Sequence, residues 1–343
     1  MPTSPSWMRR EILEIPDAVE RLLTLGTADI ERAAQDMAAQ NPGFLATVAR
    51  GSSDHVATYL KYASELLMGV PVASLAPSVA SIYHAPLKLK GSTCISVSQS
   101  GQSPDIVEMA RAAGQGGALT VAITNHPGSP LAQASAHCLN IHAGAETSVA
   151  ATKTFVTSLV AGLLLIAHWK SDRELVPAIG QLPKHLAQAT LIDWPDVQDA
   201  LKGWNSLYTL GRGPVFAISN EAALKFKETA RIHAESYSSA EVLHGPVSIV
   251  EPGFPVLCFA ASDAAEAKLV EVADQVAAKG ASVFVTSNNA TQATPIDHIR
   301  TSHPLTDPIA LIVSFYAMVE KIAVARGLDP DTPRHLNKVT ETI

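Results

Sequence analysis

The stretch "STCISVSQSGQSPDIVEMARAAGQGGALTVAITN" (92–125) decides the fold class. Its two apolar ends predict buried strands, and "IVEMARAA" (106–113) has the spacing of a helix. Strand, turn, helix and strand in this order are typical of a parallel sheet whose faces are covered by helices. Ligands bind such sheets beyond the carboxyl ends of the strands, which is where "SQSGQS" (98–103) lies.

The chain repeats this pattern. The segment 92–125 is matched by 254–289, and 44–67 is matched by 206–230, with Gly51 aligned to Gly211. We therefore predict an α/β protein with two tandem doubly wound parallel-sheet domains. The predicted divisions are an N-terminal arm (1–27), a first domain (28–175), a helical linker (176–200), a second domain (201–330) and a C-terminal tail (331–343).

Composition excludes several classes of function. The 343 residues suffice for two cores, and the charged fraction of 17% lies below the usual value of about 25%, which indicates a large core and a buried subunit interface. A net charge of −7 argues against nucleic acid as a partner. The three cysteines form no CxxC pair, which argues against a zinc site, and their sparse use fits the cytoplasm.

Membrane association is not expected. The first residues contain no signal-peptide pattern, and "VTSLVAGLLLIA" (156–167) is too short to span a bilayer, so we interpret it as a buried helix.

The serine-rich loop 98–103 has the features of an anion site. Ser103 suits the N-cap of the following helix, Pro104 suits its first turn, and Gly101 permits close approach of a ligand. The corresponding segment of the second half, "AASDAA" (260–265), keeps the turn but loses most hydroxyls. The first half alone is therefore expected to hold the ligand; the alternative is a serine-rich turn with an ordinary helix N-cap.

Six segments together resemble the SIS (sugar isomerase) domain family, and within it the isomerase half of glutamine–fructose-6-phosphate aminotransferases. They are "MRREILEIPD" (8–17), "ARGSSDHVA" (49–57), "SVSQSGQSPD" (96–105), "ETSVAATKTF" (146–155), "ALKFKETARIHAESYSSAEVLHGP" (223–246) and "DTPRHLNKVT" (331–340).

The resemblance implies a catalytic set. Glu228 would move the proton between C1 and C2, Lys225 would stabilise the enediolate, and Lys338 would approach the sugar from the folded tail. His244 would open the sugar ring from the neighbouring subunit of a homodimer, with Glu241 orienting it. Without the resemblance, "KFKE" (225–228) fits an ordinary surface pair, and His244 a loop before the strand-like "VSIV" (247–250).

The same resemblance implies a set of substrate contacts. The predicted phosphate and sugar contacts are Ser52, Ser53, Ser98, Gln99, Ser100, Ser103, Val149 and Ala151. Two positions depart from the family pattern: Ala151 replaces a usual serine, and Arg50 stands where the synthases commonly have cysteine.

The expected function is that of a glucosamine-6-phosphate deaminase/isomerase that needs no cofactor or metal. The glutamine-hydrolysing domain of the synthases has no counterpart in the sequence, so we expect no glutaminase activity and a reaction that releases ammonium. Three alternatives stay open: action on another sugar phosphate, such as galactosamine 6-phosphate or a fructosamine phosphate, isomerisation without loss of ammonia, and a non-catalytic sensor. The presence of the catalytic set disfavours the sensor.

Overall fold

The computed structural model describes residues 5–338 and divides them into two compact units. The first unit contains Asp17–Glu146, Lys153–Gly180 and the chain from Asn337. The second unit contains the chain up to Pro16, Thr147–Thr152 and Gln181–Leu336.

Ten strands and fourteen α-helices are found in the described residues. The strands are β1 (Phe44–Val48), β2 (Val72–Ser74), β3 (Ser92–Val97), β4 (Leu119–Thr124), β5 (His137–Asn140), β6 (Ser206–Gly211), β7 (His233–Ser238), β8 (Pro255–Cys258), β9 (Ser282–Val285) and β10 (Thr294–Pro295). The helices are α1 (Trp7–Leu13), α2 (Ile15–Leu25), α3 (Thr27–Gln40), α4 (Ser52–Met68), α5 (Ser78–Ser81), α6 (Pro104–Gln115), α7 (Pro130–Gln133), α8 (Lys153–Lys170), α9 (Leu175–Gly180), α10 (Leu182–Ala189), α11 (Pro195–Ala200), α12 (Val215–Ala230), α13 (Glu266–Ala277) and α14 (Asp307–Ala325).

The sheet of the first unit is entirely parallel, with the strand order β2-β1-β3-β4-β5. All six residues of β3 are buried, as expected for a strand covered on both faces. On one face α6 packs against β3 and β4 through Ile106 and Ala110. The strand order reverses between β1 and β3, so the loops after these two strands open at the switch point where ligands bind.

The sheet of the second unit, β7-β6-β8-β9-β10, has the same parallel order, which confirms the predicted repeat and fold class. One detail of the predicted alignment is wrong. Gly51, before α4, has φ of 55°, and the glycine with this conformation before α12 is Gly213, with φ of 66°. Gly211 instead ends β6. The turn into the helix requires a positive φ, and this requirement sets the register.

Two long apolar helices lie inside the units. The predicted buried helix 156–167 is confirmed within α8, whose central residues are all buried. Among the described residues, α14 is the one helix long and apolar enough to cross a membrane, and 83% of its apolar 18-residue stretch is buried within the structure.

The predicted linker 176–200 contains α10, α11 and most of α9. The domain boundaries stay a prediction.

Gly211 permits α12 to approach β6 closely, which yields a first prediction. A Cβ at this position would lie 2.7 Å from Cα of Phe216 and 2.8 Å from the carbonyl oxygen of Val215. Because both atoms belong to the backbone, we expect Gly211→Ala to lower the free energy of unfolding by about 3 kcal/mol in urea denaturation. Gly43→Ala is the control, since a Cβ there meets nothing within 4 Å. Equal stability of the two variants would contradict the close approach.

Candidate active site

The loop between β3 and α6 is held by its own serines. The Oγ of Ser98 accepts the N–H of Gly101 at 3.1 Å, and the Oγ of Ser100 accepts the N–H of Gln102 at 3.3 Å. Gly101 has φ of 63°, and a Cβ there would lie 2.1 Å from the Oγ of Ser129. The sharp turn therefore requires glycine, and it leads directly into the amino terminus of α6.

The amino termini of α4 and α6 follow the neighbouring strands β1 and β3. As predicted, Ser103 is the N-cap of α6 and Pro104 its first residue, and the Ser103 side chain makes no capping hydrogen bond. Ser52 and Ser53 form the first turn of α4. The predicted phosphate contacts of the first unit thus follow two adjacent strands at the switch point of the sheet.

A cavity of about 740 Å³ lies at the ends of β3, β4 and β5 in the first unit. Three predicted residues line it: Gln99, Ser100 and Lys338. The sequence reasoning missed other lining residues, among them Asn125, which directly follows β4, and His142, which lies two residues after the end of β5. Polar residues within two positions of the end of an apolar strand in a parallel sheet are the signal that identifies them.

Lys338 lies against a buried carboxylate. Its Nζ is 2.7 Å from Oε2 of Glu146, and the hydroxyl of Thr154 donates to the same oxygen. The other oxygen, Oε1, accepts the backbone N–H of Thr154. Burial alone would raise the pKa of Glu146, but the charge of Lys338 and these hydrogen bonds outweigh it and hold the pKa below its usual value. The C-terminal tail is thereby anchored within the first unit at Lys338.

The catalytic candidates Lys225 and Glu228 lie in the second unit, one turn apart on α12. The Nζ of Lys225 is 2.5 Å from Oε2 of Glu228 and 3.2 Å from Oε1 of Glu221. Lys225 and Glu221 are fully buried, whereas the Glu228 side chain is 21% exposed. The surface-pair interpretation of "KFKE" is therefore wrong, because the ammonium group lies inside the protein.

The buried ammonium group stays charged. Burial alone would lower the pKa of Lys225, but the carboxylates of Glu221 and Glu228 reverse this effect and hold the pKa above its usual value. The hydroxyl of Tyr316, on α14, donates to Oε1 of Glu221 at 3.1 Å. The sequence reasoning missed Glu221 and Tyr316, although Glu221 lies one helical turn before Lys225 on the same face.

His244 ends a 3-10 turn formed by Val242–His244, and its side chain is exposed. Its N–H donates to the main-chain carbonyl of Glu241 at 2.9 Å. Within residues 5–338, no hydrogen bond or ion pair joins His244 to Lys225 or Glu228.

The prediction of a strand at "VSIV" (247–250) is wrong, because Pro246–Ile249 forms a second 3-10 turn with no buried residue. Nothing packs this segment into a sheet, and proline removes a backbone donor.

Val149 and Ala151 belong to the segment Thr147–Thr152 of the second unit. The N–H of Val149 donates to the carbonyl of Asp331 at 3.1 Å. The buried carboxylate of Glu11, on α1, accepts the N–H groups of Thr147 and Ser148. The N-terminal arm and the residues before the tail thus hold this segment in place.

The second unit lacks the serine loop and carries a cation instead. The guanidinium of Arg300 donates to the carbonyls of Ala260 and Thr286 at 2.7 and 2.9 Å, and to Oε1 of Glu266 at 2.9 Å. The two carbonyls lie just beyond β8 and β9, and Glu266 is the first residue of α13. In the second unit, an internal ion pair therefore lies where the first unit has the serine loop, and a ligand site in the first half only stays a prediction.

The Glu146–Lys338 pair predicts a pH dependence of stability. Because the folded-state pKa of Glu146 lies below the unfolded value of about 4.3, its contribution is present above that pH and is lost as the pH falls through the folded value. We expect the free energy of unfolding to fall less steeply below about pH 5 in Glu146→Gln than in the parent chain. Glu108→Gln, which removes a half-exposed carboxylate from α6, is the control. Parallel profiles for Glu146→Gln and the parent chain would refute the role of this pair.

Comparison with known proteins agrees with this architecture. Residues 42–168 and 200–324 each match the SIS domain. A glutamine–fructose-6-phosphate aminotransferase (isomerizing) of Aeropyrum pernix is 34% identical over 97% of this chain. The match covers 57% of that relative, so the chain spans little more than half the length of the curated relatives it matches.

Solved structures show the same relationship. A protein from Silicibacter pomeroyi DSS-3, provisionally described as a phosphosugar isomerase, is 63% identical with a TM-score of 0.93 over 95% of this chain and 100% of its own. The C-terminal domain of glucosamine-fructose-6-phosphate aminotransferase from Francisella tularensis is 26% identical with a TM-score of 0.84, over 96% of this chain and 99% of that domain. With two SIS matches that together cover most of its length, the chain belongs to the SIS domain family.

Proposed function

We propose that the chain converts glucosamine 6-phosphate and water into fructose 6-phosphate and ammonium. The observation that carries this proposal is the pair of Lys225 and Glu228, a buried ammonium group in contact with a carboxylate that solvent still reaches. A proton transfer between adjacent sugar carbons needs such a base, with a fixed positive charge beside it. The names of the relatives supply fructose 6-phosphate and an amino group as the candidate reactants.

The proposed steps balance with water as the one co-reactant. After ring opening, the carboxylate of Glu228 takes the proton from C2 and returns it to C1. O1 gains a proton and the amine at C2 loses one, which leaves a hydroxymethyl group at C1 and a ketimine at C2. Water adds to the ketimine carbon, the C–N bond breaks, and ammonia leaves. The charge of Lys225 stabilises the enediolate-like intermediate, and Lys338 contacts the sugar. The scheme requires no metal or organic cofactor.

The serine loop is the proposed phosphate site. Ser98, Gln99, Ser100 and Ser103 would bind the phosphate together with the backbone of the α6 amino terminus. Ser52 and Ser53 would complete the contacts from α4. Val149 and Ala151 would contact the sugar hydroxyls through their main chains.

A homodimer with a shared active site is part of the proposal. The exposed side chain of His244, without a bond to Glu228, supports a role of this histidine in the site of a second copy. The free thiols of Cys94, Cys138 and Cys258 support a reducing compartment, and we propose the cytoplasm.

Isomerisation of a phosphosugar without release of ammonia is the second candidate. The 63% identity to the Silicibacter protein favours it, because that protein is provisionally described as a phosphosugar isomerase. Both reactions use the same base and phosphate site, and they differ in the group carried at C2.

An ammonia-release assay on a panel of amino-sugar phosphates tests the reaction. We expect glucosamine 6-phosphate to yield ammonium, and Glu228→Gln to lower kcat at least about 10³-fold while fructose 6-phosphate still binds. Glu271→Gln is the matched control, because Glu271 forms an exposed pair with Lys268 at the same helical spacing on α13. If no panel member yields ammonia but fructose 6-phosphate and glucose 6-phosphate interconvert, the deaminase proposal is contradicted and the isomerase proposal is supported.

Subunit mixing tests the shared site. Inactive Glu228→Gln and His244→Ala proteins, mixed under conditions of subunit exchange, form heterodimers with one intact site each. Activity should rise to about a quarter of the parent value, because half of the dimers are mixed and carry one of two sites. An inactive mixture in which exchange is demonstrated would count against His244 acting across the dimer.

A further inference from the structure

Arg50 forms an ion pair that joins the two loops of the proposed phosphate site. Its Nε and Nη2 donate to the same oxygen of Asp105, Oδ2, at 3.1 and 2.9 Å. Arg50 directly precedes Gly51 and the serines of α4, whereas Asp105 lies in the first turn of α6, two residues after Ser103. The pair therefore fixes the end of β1 to the helix that begins at the serine loop.

The two partners differ sharply in exposure. Asp105 is fully buried, whereas the Arg50 side chain is 55% exposed. The second oxygen of Asp105 accepts the N–H of Ile106 at 2.9 Å. A fully buried carboxylate depends on its partner for charge compensation, since little water reaches it.

The negative charge of Asp105 would repel an anionic ligand bound at the amino terminus of α6. A carboxylate in the first turn stabilises the helix dipole, but it also opposes the binding of an anion at the same helix terminus. Segment 98–105 contains no lysine or arginine that could offset this charge. Arg50, from the neighbouring loop, supplies the compensating charge.

We propose that Arg50 is a positioning residue for phosphate binding, which acts by neutralising Asp105 at the amino terminus of α6. The inference rests on the proposed phosphate site, but it does not depend on which sugar is bound or on the reaction catalysed. Its predicted signature is a loss of affinity for phosphate that removal of the Asp105 charge restores.

The test measures dissociation constants for inorganic phosphate and fructose 6-phosphate by calorimetry. Arg50→Met should weaken both ligands about tenfold or more, the factor expected from one charge-assisted interaction. Arg50→Met/Asp105→Asn should return both affinities to within about threefold of the parent value. Arg50→Lys, which keeps the charge, should lie closer to the parent chain than Arg50→Met. Arg111→Met removes an exposed cation of α6 and is the control for net charge.

Arg50→Met leaves a buried carboxylate unpaired and can fail to fold. Arg50→Lys keeps a cation beside the carboxylate, and Arg50→Met/Asp105→Asn removes the carboxylate, so neither protein contains an unpaired buried charge. If Arg50→Met does not fold, the affinities of Arg50→Met/Asp105→Asn and Arg50→Lys/Asp105→Asn are compared instead. We expect similar affinities in those two proteins, because no buried charge remains to be neutralised.

Three results overturn the inference. The first is that Arg50→Met binds both ligands with the affinity of the parent chain. The second is that Arg50→Met/Asp105→Asn binds them as weakly as folded Arg50→Met. The third is that Arg50→Met/Asp105→Asn binds them much more weakly than Arg50→Lys/Asp105→Asn. The second and third results would assign the cation at position 50 a direct contact with the ligand or a purely structural function. If the parent chain binds neither probe, the phosphate site itself is refuted, and this result differs from a failure confined to Arg50.

Discussion

The burial of the Lys225 ammonium group is the constraint on which the second unit depends. An isolated buried charge is too costly to keep, so Glu221 and Glu228 must lie on the same face of α12, and Tyr316 from α14 must hold Glu221 in turn. Gly211 lets the first residues of the same helix, α12, approach β6 closely. The result is a carboxylate, Glu228, held beside a permanent positive charge at the edge of the protein interior. This arrangement is the chemical basis of the proposed proton transfer.

The two halves show how one scaffold is given different uses. Both sheets have the same strand order, and in both the chain turns into a helix beyond a central strand. In the first unit that turn carries serines, a glycine of positive φ and a carboxylate paired with Arg50. In the second unit Arg300 occupies the strand ends, bound to carbonyls and to Glu266. The same scaffold thus carries a serine-rich turn in one half and an internally paired cation in the other.

Sequence patterns predicted the fold because apolar strands and glycine turns recur in both halves at matched positions. They also predicted the N-cap at Ser103, because serine before proline is a local signal. They did not predict that Lys225 is buried, since an i,i+3 pair looks the same on a surface or inside a protein. The Arg50–Asp105 and Glu146–Lys338 pairs join residues far apart in the chain, so no local pattern reveals them. The apolar pattern of "VSIV" (247–250) predicts a strand, but Pro246–Ile249 forms a 3-10 turn in which no residue is buried.

The central claim is that Glu228 moves a proton between C1 and C2 of a bound sugar phosphate. Proton NMR of fructose 6-phosphate incubated with the protein in deuterated water tests it most directly. We expect one of the two hydrogens at C1 to be replaced by deuterium, because a carboxylate that takes this proton exchanges it with solvent before returning it. Retention of both C1 hydrogens, under conditions where calorimetry shows that fructose 6-phosphate is bound, would contradict the role of Glu228.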